Sequence, residues 1–115
     1  MMNVEDVEKV FSKQIASVDF WRELKVQACL IGFDNQFIIA LREDDSSEEH
    51  KIGLIHEVAH IHFDSLNPRY LSTDLGKLSD EEFIEMEEFI EQQARKFCAE
   101  NLVYLEEVYK RYKLK

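Results

Sequence analysis

The 115-residue sequence contains little cysteine, proline, glycine or positive charge. Its two cysteines, Cys29 and Cys98, lie far apart without disulfide or metal-ligand spacing, so we expect reduced thiols in a cytoplasmic protein. No apolar run approaches the roughly 18 residues of a membrane-spanning helix. The acidic, amphipathic start of the chain differs from a secretory signal, which is basic and then apolar. Repeats and low-complexity tracts are also absent.

The shortage of positive charge excludes two classes of partner. There are 14 Lys and Arg against 24 Asp and Glu, giving a formal net charge of −10. A nucleic-acid surface needs clustered Lys and Arg, and an anionic membrane attracts the same residues, so we expect neither partner. Hydrophobic residues make up 45% and charged residues 33%, which is typical of globular proteins. The length suits a single domain over residues 1–115.

The first half of the chain predicts helices followed by a hairpin. Apolar residues at helical spacing predict a helix over residues 3–16, with Asn3 as its N-cap, and a short second helix within residues 17–24. Two apolar segments, residues 26–33 and 36–41, flank an Asp-Asn pair that tolerates a tight turn. This pattern predicts a two-stranded antiparallel hairpin.

The second half of the chain is predicted to be helical. Ser46 and Glu49 form a capping-box pattern, which predicts a helix over residues 47–63. Residues 64–79 would form a long connection, and long loops are often functional. A strongly periodic segment begins at Asp80 and continues as one long helix, or as two with a break near Asn101.

The residues with the clearest chemistry form an HExxH motif, His56-Glu57-Val58-Ala59-His60. On a helix the two imidazoles lie one turn apart on one face, where they can bind one metal ion. Glu57 lies beside them and could accept a proton from a water molecule that the metal activates. Zinc hydrolases use two nitrogen ligands and such a carboxylate base.

The angular positions of other residues on this helix predict which face each one occupies. Gly53 lies one turn before the motif on the same face, leaving room for a substrate or a strand. His62 falls on the far side and is excluded as a ligand, while His50, at the polar start of the helix, is expected on the surface.

A zinc site needs a third protein ligand, and because no histidine follows His62, we expect a carboxylate, most simply from the next helix. Glu91 is favoured because Ala94 and Cys98 follow it on the same face, and small residues there allow close helix packing. Glu87 and Glu88 are the next choices if Glu91 does not bind the metal. The full set of candidates is Glu81, Glu82, Glu85, Glu87, Glu88 and Glu91.

These two segments together resemble the ImmA/IrrE metallopeptidases. In that family an HExxH helix is followed by a helix of the form E-x-x-A-N-x-F-A-x-x-L-L-M-P, and four positions match it in register: Glu91, Ala94, Phe97 and Leu102. The resemblance implies zinc bound by His56, His60 and Glu91, with Glu57 as general base. The sequence departs from the pattern at Arg95, and Asn101, Val103 and Tyr104 also differ from it.

The resemblance also implies a fold and a substrate. The expected fold is α+β, a mainly helical, zincin-like single domain with a small antiparallel β-hairpin or sheet before the HExxH helix. The expected activity is zinc-dependent endopeptidase cleavage of a regulatory protein, such as a helix-turn-helix repressor of a phage or mobile element. The segment Gln36 to Leu41 is a candidate edge strand for binding an extended peptide. Tyr70 and Tyr104 are candidate oxyanion stabilisers.

Two other functions remain open from the sequence. The chain could be a non-catalytic acidic module that binds a basic protein and has a vestigial or structural metal site. It could also be a helical domain whose two histidines bind no metal and form hydrogen bonds with the backbone.

Overall fold

The computed structural model describes residues 2–66 and 78–113, which form four helices and one three-stranded sheet around a shared core. The elements in chain order are α1 Val4–Gln14, β1 Ile15–Trp21, β2 Ala28–Phe33, β3 Gln36–Arg42, α2 Ser47–Leu66, α3 Asp80–Glu100 and α4 Leu102–Lys113. The predicted α+β class is therefore confirmed.

Local sequence signals explain where the helices begin. Asn3 and Asp6 form a capping box at the start of α1. The Asn3 side chain accepts from the Asp6 amide and the Asp6 carboxylate accepts from the Asn3 amide, both at 2.9 Å. Before α2, the Ser46 hydroxyl accepts from the amide of Glu49 at 3.2 Å. The predicted break near Asn101 is also present, since that residue ends α3 and α4 starts directly after it.

The predicted hairpin consists of β2 and β3. These strands pair antiparallel from Ala28 opposite Leu41 to Phe33 opposite Gln36. Asp34 and Asn35 form the turn with φ angles of 45° and 65°. Both angles lie in the left-handed region that a two-residue hairpin turn requires, and Asn and Asp tolerate it better than most residues.

The predicted short helix within residues 17–24 is wrong, and so is the extension of the first helix to Ala16. Residues 15–21 form β1, which pairs in parallel with β3 from Ile15 opposite Phe37 to Trp21 opposite Arg42. The strand order is β1-β3-β2, so the sheet is mixed and β3 is its central strand. The segment Gln36 to Leu41 is consequently not the edge strand that the sequence suggested.

Helix α2 packs against the sheet and against α1 and α3. Its apolar residues Leu54, Ile55 and Val58 are at most 1% exposed. At Gly53, an added Cβ would lie 3.2 Å from the Cβ of Ala28 on β2. The space that the sequence predicted beside Gly53 is thus occupied by a strand, and β2 runs close along the HExxH helix.

His50 is a correction, because the sequence placed it on the surface and the structure buries it. Its side chain is 2% exposed. Its Nε2 lies 2.6 Å from the carbonyl oxygen of Arg42, and its Nδ1 lies 2.8 Å from the hydroxyl of Tyr109 on α4. Phe20 of β1 packs edge-on against the ring, with the centroids 5.0 Å apart. His50 therefore joins the end of β3, the start of α2 and α4.

Candidate metal centre

Helices α2 and α3 run antiparallel, and this places the acidic side chains of α3 opposite the histidines of α2. As the residue number rises along α2, the number of its contact on α3 falls. The contacts that define this order are Lys51 with Cys98, His56 with Glu91, and His60 with Glu87.

His56, His60 and Glu87 form a group that could hold a metal ion. The two Nε2 atoms are 3.2 Å apart. The Glu87 carboxylate lies between them, with Oε2 3.3 Å from His56 Nε2 and Oε1 3.2 Å from His60 Nε2. One donor atom from each of the three residues lies within 4.8 Å of the others.

These separations fit a small divalent ion. Four ligands at the usual zinc bond lengths of about 2.0–2.2 Å occupy the corners of a tetrahedron whose edges are roughly 3.3–3.6 Å. The distance between the two Nε2 atoms, and the distance from each Nε2 to the nearer oxygen of Glu87, are close to that range, and each imidazole faces a different Glu87 oxygen. Two imidazoles and one carboxylate are also a donor set found in catalytic zinc sites, with the fourth position left for water or substrate.

Glu91, the residue predicted as third ligand, contacts a different atom. Its Oε2 lies 2.7 Å from Nδ1 of His56, on the side of the ring away from Nε2. Its Oε1 lies 2.8 Å from Nε of Arg95, one turn further along α3. Both carboxylate oxygens of Glu91 are thus engaged, and the residue is placed to orient the imidazole of His56.

Glu57, the predicted general base, is 8% exposed and lies in the same cleft as the two histidines. It is not one of the three residues whose donor atoms converge. Burial raises the pKa of the Glu57 carboxyl above its ordinary value, although the nearby imidazoles of His60 and His56 act in the opposite direction. A raised pKa suits a group that must take up and release a proton near neutral pH.

The charges of the three convergent groups are coupled. Hydrogen bonds with His56 and His60 lower the pKa of Glu87 to about 2, outweighing the effect of its burial. Burial alone would lower the pKa of His56, but the hydrogen bond with Glu87 and the charge of Glu57 raise it overall. The site therefore stabilises positive charge between its carboxylates, as a cation site must.

A cleft of about 470 Å³ opens at the histidines. Strand β2 and the beginning of α3 form its two sides, and both contribute mainly apolar side chains. The lining residues are Val26, Ala28, Cys29, Leu30, His56, Glu57, His60, Phe83, Met86 and Glu87.

The remaining candidate residues lie elsewhere. The side chain of His62 approaches Asp6 on α1, with Nε2 and Oδ2 3.9 Å apart, in agreement with its exclusion as a ligand. Tyr104 packs edge-on against Phe97 and does not line the cleft at the histidines. Tyr70, the other candidate oxyanion stabiliser, lies outside the described residues.

Glu87, which the sequence placed behind Glu91, is the carboxylate that converges with the two histidines. The sequence signal was available in its spacing, since Glu87 and Glu91 are one turn apart, as are His56 and His60. Deciding between the two carboxylates required the register of α2 against α3, which no local pattern records.

No family model, curated protein or solved structure matches this chain. Within residues 2–66 and 78–113, no helix has the length and apolar character needed to cross a membrane.

Proposed function

We propose that the protein is a zinc-dependent endopeptidase. The observation that carries this proposal is the convergence of His56, His60 and Glu87 at 3.2–3.3 Å beside the buried carboxylate of Glu57. The proposed ligands are these three residues, with Glu91 as the positioning residue for His56. A bound zinc ion would supply Lewis-acid polarisation of a water molecule and of the substrate carbonyl.

Glu57 would perform the proton transfers. Its carboxylate takes a proton from the attacking water as oxygen bonds to the carbonyl carbon, and then gives that proton to the nitrogen of the leaving amine as the C–N bond breaks. Burial in the cleft limits competing contact with bulk water and favours the neutral acid that forms between these two steps.

Strand β2 is the proposed site for the peptide backbone. It pairs with β3 on one side only, and its other edge has no strand partner among the described residues. An extended peptide could add to this edge, because its backbone would satisfy the free amide and carbonyl groups of β2. The close approach of β2 to α2 at Gly53 keeps that edge beside the histidines.

The resemblance to ImmA/IrrE metallopeptidases extends the proposal to a protein substrate with a regulatory role, such as a helix-turn-helix repressor of a phage or mobile element. We also propose that the protein is cytoplasmic, because Cys29 and Cys98 lack disulfide spacing. The acidic surface of α3 suits a basic protein of this kind.

A Glu57→Gln variant tests the proposed activity. We expect one zinc per chain in both wild type and variant, and loss of peptide cleavage by about 10²–10⁴-fold in the variant, because general acid–base catalysis contributes about that much. Metal analysis by mass spectrometry and cleavage of a mixed peptide library would measure the two quantities. Wild-type protein that binds no zinc, or a variant that cleaves as fast as wild type, would contradict the proposal.

The acidic binding module is the second candidate, and the exposed acidic residues of α3 favour it. Under this alternative, Glu57→Gln leaves the biological function intact, whereas reversing charges among residues 80–91 abolishes it. The two candidates therefore predict opposite results for the same variant.

A further inference from the structure

The cleft beside the candidate metal centre has an apolar wall. Its side chains come from β2, from the segment just before β2 and from α3. Four of its lining residues are large and apolar, and we call Val26, Leu30, Phe83 and Met86 the apolar wall. Val26 is 52% and Phe83 37% exposed. Apolar side chains left open to water around a few convergent polar groups are typical of a ligand site.

A second cavity at His56 and Glu57 is smaller and more polar. It measures about 110 Å³ and is lined by Gln27, Ala28, Gly53, His56, Glu57 and Glu91. The larger cavity, with the apolar wall, therefore offers more room for a large apolar side chain of a peptide bound at the candidate metal centre.

An exposed strip of α3, the helix that also contributes Phe83 and Met86 to the apolar wall, carries negative charge. Asp80, Ile84 and Glu88 follow one another at intervals of four residues, which places them along one strip of the helix beside Glu87 and Glu91. All three are exposed. We call them the acidic strip. The first basic residue of α3 is Arg95, and it pairs with Glu91.

We propose that the cleft selects an extended peptide with a large apolar residue on one side of the reacting carbonyl and a Lys or Arg within about three residues of it. This inference rests on the proposed peptidase function and names the substrate class. The apolar residue packs between Leu30 and Phe83. The basic residue lies along the acidic strip, where its charge is attracted by Asp80 and Glu88 and its alkyl chain covers Ile84.

The experiment uses zinc-loaded wild-type protein and a library of short peptides, with the cleavage products sequenced by mass spectrometry. We expect cleavage sites with Leu, Ile, Met or Phe on one side of the broken bond only, and Lys or Arg nearby. Replacing the apolar residue by Ala should lower kcat/KM by about 10–200-fold, the range that apolar pockets achieve.

Two variants and one matched control assign these preferences to residues. Phe83→Ala should reduce the ratio of kcat/KM for the Leu peptide to kcat/KM for the Ala peptide at least tenfold, because the ring that packs against the large side chain is lost. The double variant Asp80→Asn and Glu88→Gln should slow cleavage of basic peptides and weaken its dependence on salt. Glu107→Gln removes an exposed acid from α4 that lines none of these cavities, and should change neither preference.

A binding measurement separates this inference from the proposed function. Fluorescence anisotropy would follow a labelled apolar, basic peptide added to the zinc-loaded Glu57→Gln variant, with and without Phe83→Ala. Binding that depends on Phe83, without cleavage by wild type, would support the inference and contradict the peptidase. Cleavage that ignores the apolar residue or Phe83 would overturn the inference alone. Absence of both binding and cleavage of such peptides would also overturn it.

Discussion

A single helical turn separates Glu87 from Glu91, yet the two carboxylates face different nitrogens of the same imidazole. Glu87 lies near Nε2 of His56, and Glu91 contacts Nδ1. When a carboxylate accepts from Nδ1–H, the lone pair of Nε2 is left for a metal, and the ring orientation is held. Arg95 lies 2.8 Å from the second oxygen of Glu91, so both oxygens of that carboxylate have partners.

Substitution of each carboxylate by glutamine distinguishes their roles. We expect Glu87→Gln to leave the protein with less than one zinc per chain after dialysis, because a direct ligand is removed. Glu91→Gln should retain zinc but bind it about 10–100-fold more weakly, as is usual when a residue that orients a ligand is removed. Zinc content and titration against a chelator would measure both effects.

Glu88→Gln is the control for these variants, since Glu88 is an exposed neighbour of the same type. It should bind zinc as the wild type does. If Glu91→Gln lost the metal and Glu87→Gln kept it, Glu91 would be the third ligand, as first predicted from the sequence.

The positions of His56, Glu57 and His60 at one cleft could be predicted from sequence because their relation is local. Four residues along one helix place His56 and His60 on one face whatever surrounds them. The third ligand is not local. Which carboxylate lies near Nε2 of His56 depends on the axial position of α3 relative to α2. A shift of one helical turn would place Glu91 where Glu87 lies. Small residues such as Ala94 indicate close packing but not this register.

Helices and strands with local sequence signals could be predicted, whereas a strand that depends on pairing with a distant segment could not. The capping residue Asn3 and the Asp34-Asn35 turn act on their own neighbours, so the start of α1 and the hairpin were predicted correctly. Strand β1 was not predicted, because Phe20, Trp21 and Leu24 have helical spacing. Its pairing with β3 joins segments about 20 residues apart and overrides that local pattern.

The contacts of His50 should be important for stability, because they join three elements. His50→Ala would remove two buried hydrogen bonds and the packing of the ring against Phe20, so we expect a loss of about 2–4 kcal/mol in the free energy of unfolding. Tyr109→Phe removes only one of these bonds and should cost about 1 kcal/mol. Urea unfolding of the metal-free proteins would measure both.

His62→Ala provides a histidine control outside this network. Its side chain is partly exposed and meets Asp6 only at 3.9 Å, so the expected loss is below about 1 kcal/mol. A His50→Ala variant as stable as wild type would show that the buried contacts do not hold α4 in place.

At the scale of the whole molecule, the thiol and phenol groups determine how the fold responds to alkali. Burial raises the pKa of Cys98 to about 12, from 9.0 in an unperturbed thiol. Burial likewise raises the pKa of Tyr104, Tyr109 and Tyr112. The unfolded chain loses these protons at lower pH than the folded chain, so folding stability is full below pH 9 and falls as the pH rises towards 12.

Unfolding by urea at a series of pH values from 7 to about 10.5 would reveal this decline. We expect a Cys98→Ala variant to lose less stability over this range than wild type, because one of the groups with a raised pKa has been removed. Equal slopes for the two proteins would contradict the contribution of Cys98.

The strand order β1-β3-β2 also has a consequence for the time course of synthesis. The central strand is the last of the three to be made, so β1 and β2 leave the ribosome before either has a partner in the sheet. At about 5–20 residues per second, β1 waits roughly 1–4 s for β3. Glu87 arrives later still, after the two histidines. The nascent chain therefore completes its sheet before it can bring Glu87 to the two histidines.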